Sequence, residues 1–266
     1  MCKIDETERR IFTPATRGLH VKLERTFIGA DGVGPKTESK LWNAGIGTWD
    51  EFTPDVVGPT TADRITAYID AAKPRLAAGD SRFFDQTLPT SEQWRLYDDF
   101  RDQACFFDIE STGLSKHMDS ITCLSCFQNG SVTSLVRGES LTREAVREAL
   151  DAPLLISFNG AQFDIPFLEA EFGLNIDTPH LDLRYPCKRV GLTGGLKPIE
   201  TAIGIERDKP DLDGADAVRL WYDHQRGIDG ALETLLAYNR EDVINLQTVA
   251  DTTIARLDAQ VLPFSP

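Results

Sequence analysis

The stretch Phe106-Phe107-Asp108-Ile109-Glu110-Ser111 constrains this chain more than any other. Its apolar residues ask for a buried strand, yet two carboxylates stand among them. Side chains alternate along a strand, so Asp108 and Glu110 project side by side from one face. No Lys or Arg lies within the stretch. Anions that close raise each other's pKa and oppose folding unless a positive charge sits between them. The fold therefore has to bring such a charge to this strand.

The rest of the chain bounds that fold. Its 266 residues, 41% of them hydrophobic, suit one large domain or a medium one with a smaller companion. From residue 104, strand and helix alternate. ACFFDIES, SITCLSCFQ and SVTSLVR read as three strands, the last two joined by a tight Asn129-Gly130 turn. LTREAVREAL reads as an amphipathic helix with Thr142 near its start. PLLISFN is a fourth strand, DIPFLEAEFG a helix ended by Gly173, and PHLDLRY a fifth strand. Helices follow in LKPIETAIG, in GADAVRLWYDHQRG and from Asp229 to about Ala259. A meander followed by alternating helix and strand predicts an α/β fold with a mixed sheet covered by helices. Residues 1–95 read as a small, mainly helical region, with the helix in TADRITAYIDAAKPRLAAG interrupted at Pro74. Residues 100–266 form the main domain.

No apolar run reaches the length of a membrane span, and MCKIDETERR lacks a signal-peptide core. Five scattered cysteines give no disulfide framework, so a reduced, cytoplasmic protein is expected. Cys123 and Cys126 have metal-like spacing without a second pair, and read as small strand residues. The net charge of −14 argues against a polyanionic partner, but its distribution does not. Residues 1–40 hold eight Lys/Arg against six Asp/Glu, and residues 183–199 carry Arg184, Lys188, Arg189 and Lys197 with no acid.

Two later stretches bring further oxygen ligands. In SFNGAQFD a strand ends at Asn159-Gly160 and a helix begins near Asp164, the junction where α/β sheets place their ligands. In YNRED, Tyr238 and Asp242 are four apart and share a helix face. Asp108, Glu110, Asp164 and Asp242 make four hard carboxylates, a set suited to Mg2+ or Mn2+ and able to hold two ions ~4 Å apart. Asp182 reads as a supporting group near a strand end.

FFDIES, SFNGAQFD and YNRED, in that order, resemble the three motifs of the DEDD superfamily of 3′-to-5′ exonucleases, which has the ribonuclease H-like fold. Tyr238 places the resemblance in the tyrosine (DEDDy) subclass. WRLYDDFR, GGLKPIETAIGI and VRLWYDHQRG extend it to the YprB-type family of ribonuclease H-like predicted exonucleases, over roughly residues 80–250. The resemblance implies a hydrolase that uses two Mg2+ or Mn2+ ions, one activating water and the other stabilising the leaving 3′ oxygen. Asp108 would bridge both ions, Glu110, Asp164 and Asp242 would complete their shells, and Tyr238 would orient the attacking water.

The implied partner is the 3′ end of single-stranded DNA or RNA. Asn159 either holds the terminal nucleotide or serves as a turn residue before Gly160. Arg184, Lys188, Arg189 and Lys197 form a basic lip, kept mobile by Gly191, Gly194 and Gly195, or an ordinary surface loop. GVGPKT, within 32–52, resembles a helix-hairpin-helix loop in which Gly32 and Gly34 let backbone N–H groups approach a phosphate. A structure-specific endonuclease of the same fold and a non-catalytic nucleic-acid-binding module are the alternatives.

Overall fold

The computed structural model describes residues 21–262. MCKIDETERR and the first half of the basic segment 1–40 lie outside the described residues.

Three helices, α1 (Pro35–Asn43), α2 (Pro59–Ala77) and α3 (Ser81–Thr87), lead through a 3-10 stretch (Thr90–Leu96) to a single turn, α4 (Tyr97–Phe100). Gly34 and Gly58 cap α1 and α2, each followed by a proline at the first helical position, where a missing N–H costs nothing. The helix expected to break at Pro74 does not: α2 runs through it. The proline forgoes one bond, to the carbonyl of residue 70, with only one turn of α2 left to run.

Five strands follow: β1 (Cys105–Ser111), β2 (Ile121–Gln128), β3 (Ser131–Val136), β4 (Leu155–Ser157) and β5 (His180–Asp182). They form one sheet in the order β3-β2-β1-β4-β5, with β1 to β3 an antiparallel meander and β4 and β5 parallel to β1. Asn129 and Gly130, at φ 52° and 75°, close the β2–β3 hairpin in the left-handed pair that matches strand twist. Between β3 and β4, α5 (Arg143–Ala149) starts where Thr142 Oγ1 accepts the N–H of Ala145. Between β4 and β5, α6 (Asp164–Phe172) ends at Gly173, which is left-handed at φ 60°. Then come α7 (Arg184–Arg189), α8 (Leu196–Ala202), α9 (Gly214–Gln225) and the 31-residue α10 (Ala231–Val261). This is the ribonuclease H-like architecture expected, a mixed sheet flanked by helices with a helical N-terminal region.

The expected mobile lip departs from this structure. Residues 184–189 are helical because Leu183, Pro186 and Cys187 are buried and anchor the segment, leaving Arg184, Lys188 and Arg189 on its outer side.

Alternation along β1 divides the core. Phe107 and Ile109 pack toward α5 and α6 with Val146, Phe167 and Leu168. Phe106 points the other way, into a core shared by Leu246, Val249 and Ile254 of α10 and by Trp49, Tyr68, Phe84 and Trp94 of the N-terminal helices. An ionic knot lies in that second layer. Arg95, 2% exposed, pairs with Glu38 at 2.9 Å and Glu92 at 2.8 Å, and Glu38 also accepts the N–H groups of Phe27 and Ile28.

Candidate metal centre

Asp108 and Glu110 share the face of β1 crossed by α10, and Asp242 projects from α10 to meet them. One carboxylate oxygen from each lies within 4.8 Å of the other two. Asn239, fully buried on α10, donates to Asp108 Oδ2 at 2.7 Å and fixes its rotamer. Asp164 arrives by a different route. The ladder between β1 and β4 covers only Cys105–Leu155 and Phe106–Ile156. Beyond it the N–H of Ile109 has no strand partner, and Asp164 Oδ1, on the first residue of α6, accepts it at 3.0 Å. Asp164 thus flanks the trio without joining its convergence point.

The donors fit a hard divalent ion. All are carboxylate oxygens, and the buried Oδ1 of Asp242 is met by the Arg207 guanidinium, a cation standing at the position a metal ion would share. Burial pushes Asp242 up to about 6, against the pull of the Arg207 guanidinium beside it. Burial likewise raises Asp164 to about 7, with the Ile109 N–H pulling back. Asp108 and Glu110 stand well above the ordinary carboxylate range, through burial first and then the neighbouring carboxylates. Burial also raises the Tyr238 hydroxyl, so it stays protonated at neutral pH and acts as a donor.

A pH dependence follows. A carboxylate whose folded pKa exceeds its unfolded value near ~4 holds more protons folded than unfolded between those two values. Its contribution to stability is therefore present at low pH and lost as pH rises from ~4 toward ~7. His180 has the opposite slope, since burial lowers its imidazole to about 4. A divalent ion separates the two effects because it relieves only the carboxylates. The rise in Tm on adding ~10 mM Mg2+ is expected to grow from about pH 5 to about pH 8, measured by differential scanning fluorimetry. A rise independent of pH would remove these acids from the centre.

The remaining expected residues are spread around this point. Tyr238 is one turn before Asp242, with Lys197 Nζ 5.1 Å from its ring centroid. Asn159 adopts φ 68°; its N–H donates to Asp182 Oδ1 and its side-chain oxygen accepts from Arg184 at 2.5 Å. Asp182 also accepts the N–H of Ala161, so it shapes the loop leading to Asp164. Arg189 turns away to Glu92 at 2.9 Å. Lys188 is exposed on α7. Gly32, at φ 74°, lies in the turn before α1 and Gly34 is the N-cap of α1, and the element before them is only the three-residue 3-10 turn Leu23–Arg25. Cys123 and Cys126 lie in different cores, Cys123 with Trp221 and Cys126 with Phe107, which precludes a shared metal.

Asn239, Arg207 and Leu114 escape the motif reading. Asn239 had a signal: it interrupts the apolar spacing of Leu235, Val243 and Leu246 on a helix face, where a polar residue needs a reason. Arg207 sits in the connection between α8 and α9, within a polar stretch that gives no cue. Leu114, on the loop just after Glu110, is 89% exposed.

Among solved structures, an apo nuclease is 20% identical with a TM-score of 0.47, covering 60% of this chain and 76% of that one. NrnC from Brucella melitensis is 19% identical with a TM-score of 0.47, covering 63% and 79%. The family B DNA polymerase from Pyrobaculum calidifontis is 16% identical with a TM-score of 0.46, covering 61% of this chain and 27% of the polymerase. No curated protein matches. A family model described as the RNase_H superfamily matches residues 105–254, more than half of the 266, and the chain belongs to that superfamily.

Proposed function

We propose that this chain is a metal-dependent 3′-to-5′ exonuclease acting on single-stranded DNA or RNA, of the DEDDy subclass and the YprB type. The observation that carries the reading is the meeting of Asp108, Glu110 and Asp242 oxygens within 4.8 Å where α10 crosses β1. Such a trio is costly without a cation and is the donor set of a phosphodiester hydrolase. Two Mg2+ or Mn2+ ions would supply a Lewis acid for water and neutralise charge on the leaving 3′ oxygen.

The chain's own groups do the rest. Asp108, Glu110 and Asp242 would hold the ions, with Asp164 completing a shell from beside the trio, and Asn239 keeps Asp108 in place. Tyr238, protonated and one turn from Asp242, orients the attacking water through its hydroxyl. Asn159, Arg184, Lys188 and Lys197 receive the terminal nucleotide and its phosphates, and the exposed Leu114 offers an apolar surface to an unstacked base. Residues 1–95 form an accessory region, with Gly32 and Gly34 at a helix start that faces a more distant phosphate.

The test is digestion of 5′-labelled single-stranded DNA and RNA with Mg2+ or Mn2+, beside a closed circular strand. A ladder shortening from the 3′ end, abolished by EDTA, is expected, with the circle untouched. Cutting of the circle would replace this reading by an endonuclease, and an inert protein that still binds oligonucleotide would replace it by a binding module.

A further inference from the structure

The Arg207 side chain is buried, only 5% exposed. Nε and Nη2 grip the carboxylate of Glu200, which is 1% exposed, and Nη2 also lies against Asp242 Oδ1. The guanidinium carbon is 5.7 Å from the Tyr238 ring centroid. Nη1 is buried and has no hydrogen-bond partner among the described residues. Glu200 alone already neutralises Arg207, so the reach to Asp242 adds nothing that this pair requires. Lys197, the other cation at Tyr238, turns instead to the carbonyl of Pro210 at 3.5 Å.

We propose that Arg207 is a built-in counter-ion of the metal centre: it holds Asp242 in place when no divalent ion is bound, and a divalent ion competes with it for that carboxylate. The inference rests on the metal-dependent reading above. It places a positive charge on the carboxylate that meets Asp108 and Glu110 before any ion arrives. Glu200 is the anchor that makes the exchange affordable. Asn245 Nδ2 donates to Glu200 Oε1 at 3.0 Å and steadies the acceptor. When Arg207 leaves Asp242 it keeps its fork on Glu200, so no buried cation is stranded. Arg207 is thus a positioning residue, acting on the centre through Asp242.

The test measures Mn2+ affinity directly, by electron paramagnetic resonance of free Mn2+ at one fixed pH and without nucleic acid. Arg207→Gln alone strands Glu200 and risks the fold, so the deciding variant is Glu200→Gln/Arg207→Gln, which removes the pair together. It is expected to bind Mn2+ about tenfold tighter than the wild type, having lost the competitor for Asp242, while the repulsion removed with Arg207 and the attraction removed with Glu200 largely cancel. Arg207→Lys, which keeps the charge, is expected within about threefold of the wild type. Unchanged or weaker binding by the double variant overturns the counter-ion role and leaves the metal centre standing. A wild type that binds no Mn2+ overturns the centre, and the counter-ion role with it.

Discussion

Asp108→Asn is expected to lower turnover at least about a thousandfold while leaving the protein folded and able to bind an oligonucleotide. The amide keeps the volume of the carboxylate and an oxygen for the hydrogen bond now donated by Asn239 at 2.7 Å. What disappears is one negative charge from a cluster in which burial and three other acids already hold Asp108 well above the ordinary range. Stability without metal should therefore rise at neutral pH, and the gain on adding Mg2+ should shrink. Opposite movement of activity and stability separates a ligand from a structural acid. Single-turnover cleavage of a 5′-labelled strand gives the first quantity, fluorescence anisotropy the binding and thermal melts the second. Full activity in this variant would end the assignment of Asp108 to the centre.

Arg95→Ala has the largest expected effect on stability, a loss of about 3–5 kcal/mol, because it leaves the buried Glu38 without its counter-ion and weakens the charge balance at Glu92. For a chain of this size the melting temperature should fall by about 10 °C. The N–H groups of Phe27 and Ile28 end on the same Glu38 oxygen, so the loss should spread to the strip of chain before α1. Hydrogen exchange should quicken there before it quickens in β1. A fall below about 1 kcal/mol would mean that water reaches the knot and screens it.

Much of the architecture was legible because its signals are local. Alternation in FFDIES, the apolar run ITCLSCFQ, the Asn129-Gly130 turn, Thr142 and Gly173 each name a backbone state within a few residues. Asp108 and Glu110 were conspicuous because carboxylates are out of place beside Phe106, Phe107 and Ile109. The departures depend on distant partners. Pro74 sits where α2 is nearly finished, which proline chemistry alone does not reveal. Residues 184–189 looked mobile from nearby glycines, yet Leu183 and Cys187 find a core built by α10 and the N-terminal helices. Arg207 meets Glu200 and Asp242 only after α8 and α10 have packed, and no spacing rule joins residues 7 and 35 positions away in such different elements.

The length of α10 has a consequence for experiment. Its 31 residues make a rod about 46 Å long, carrying Tyr238 and Asp242 toward one end. Its other half is clamped: Asp251 takes Tyr97 at 2.8 Å and Arg101 at 2.9 Å, and Asp258 takes the N–H of Val21 at 3.1 Å. Residues 21–101 are thus the fulcrum of a lever whose working tip is Asp242. Cutting them away would free the lever, and the activity lost would report a wandering tip rather than a missing grip on nucleic acid. Gly34→Ala leaves the fulcrum intact, since the added methyl meets nothing within 4 Å, and so isolates the grip.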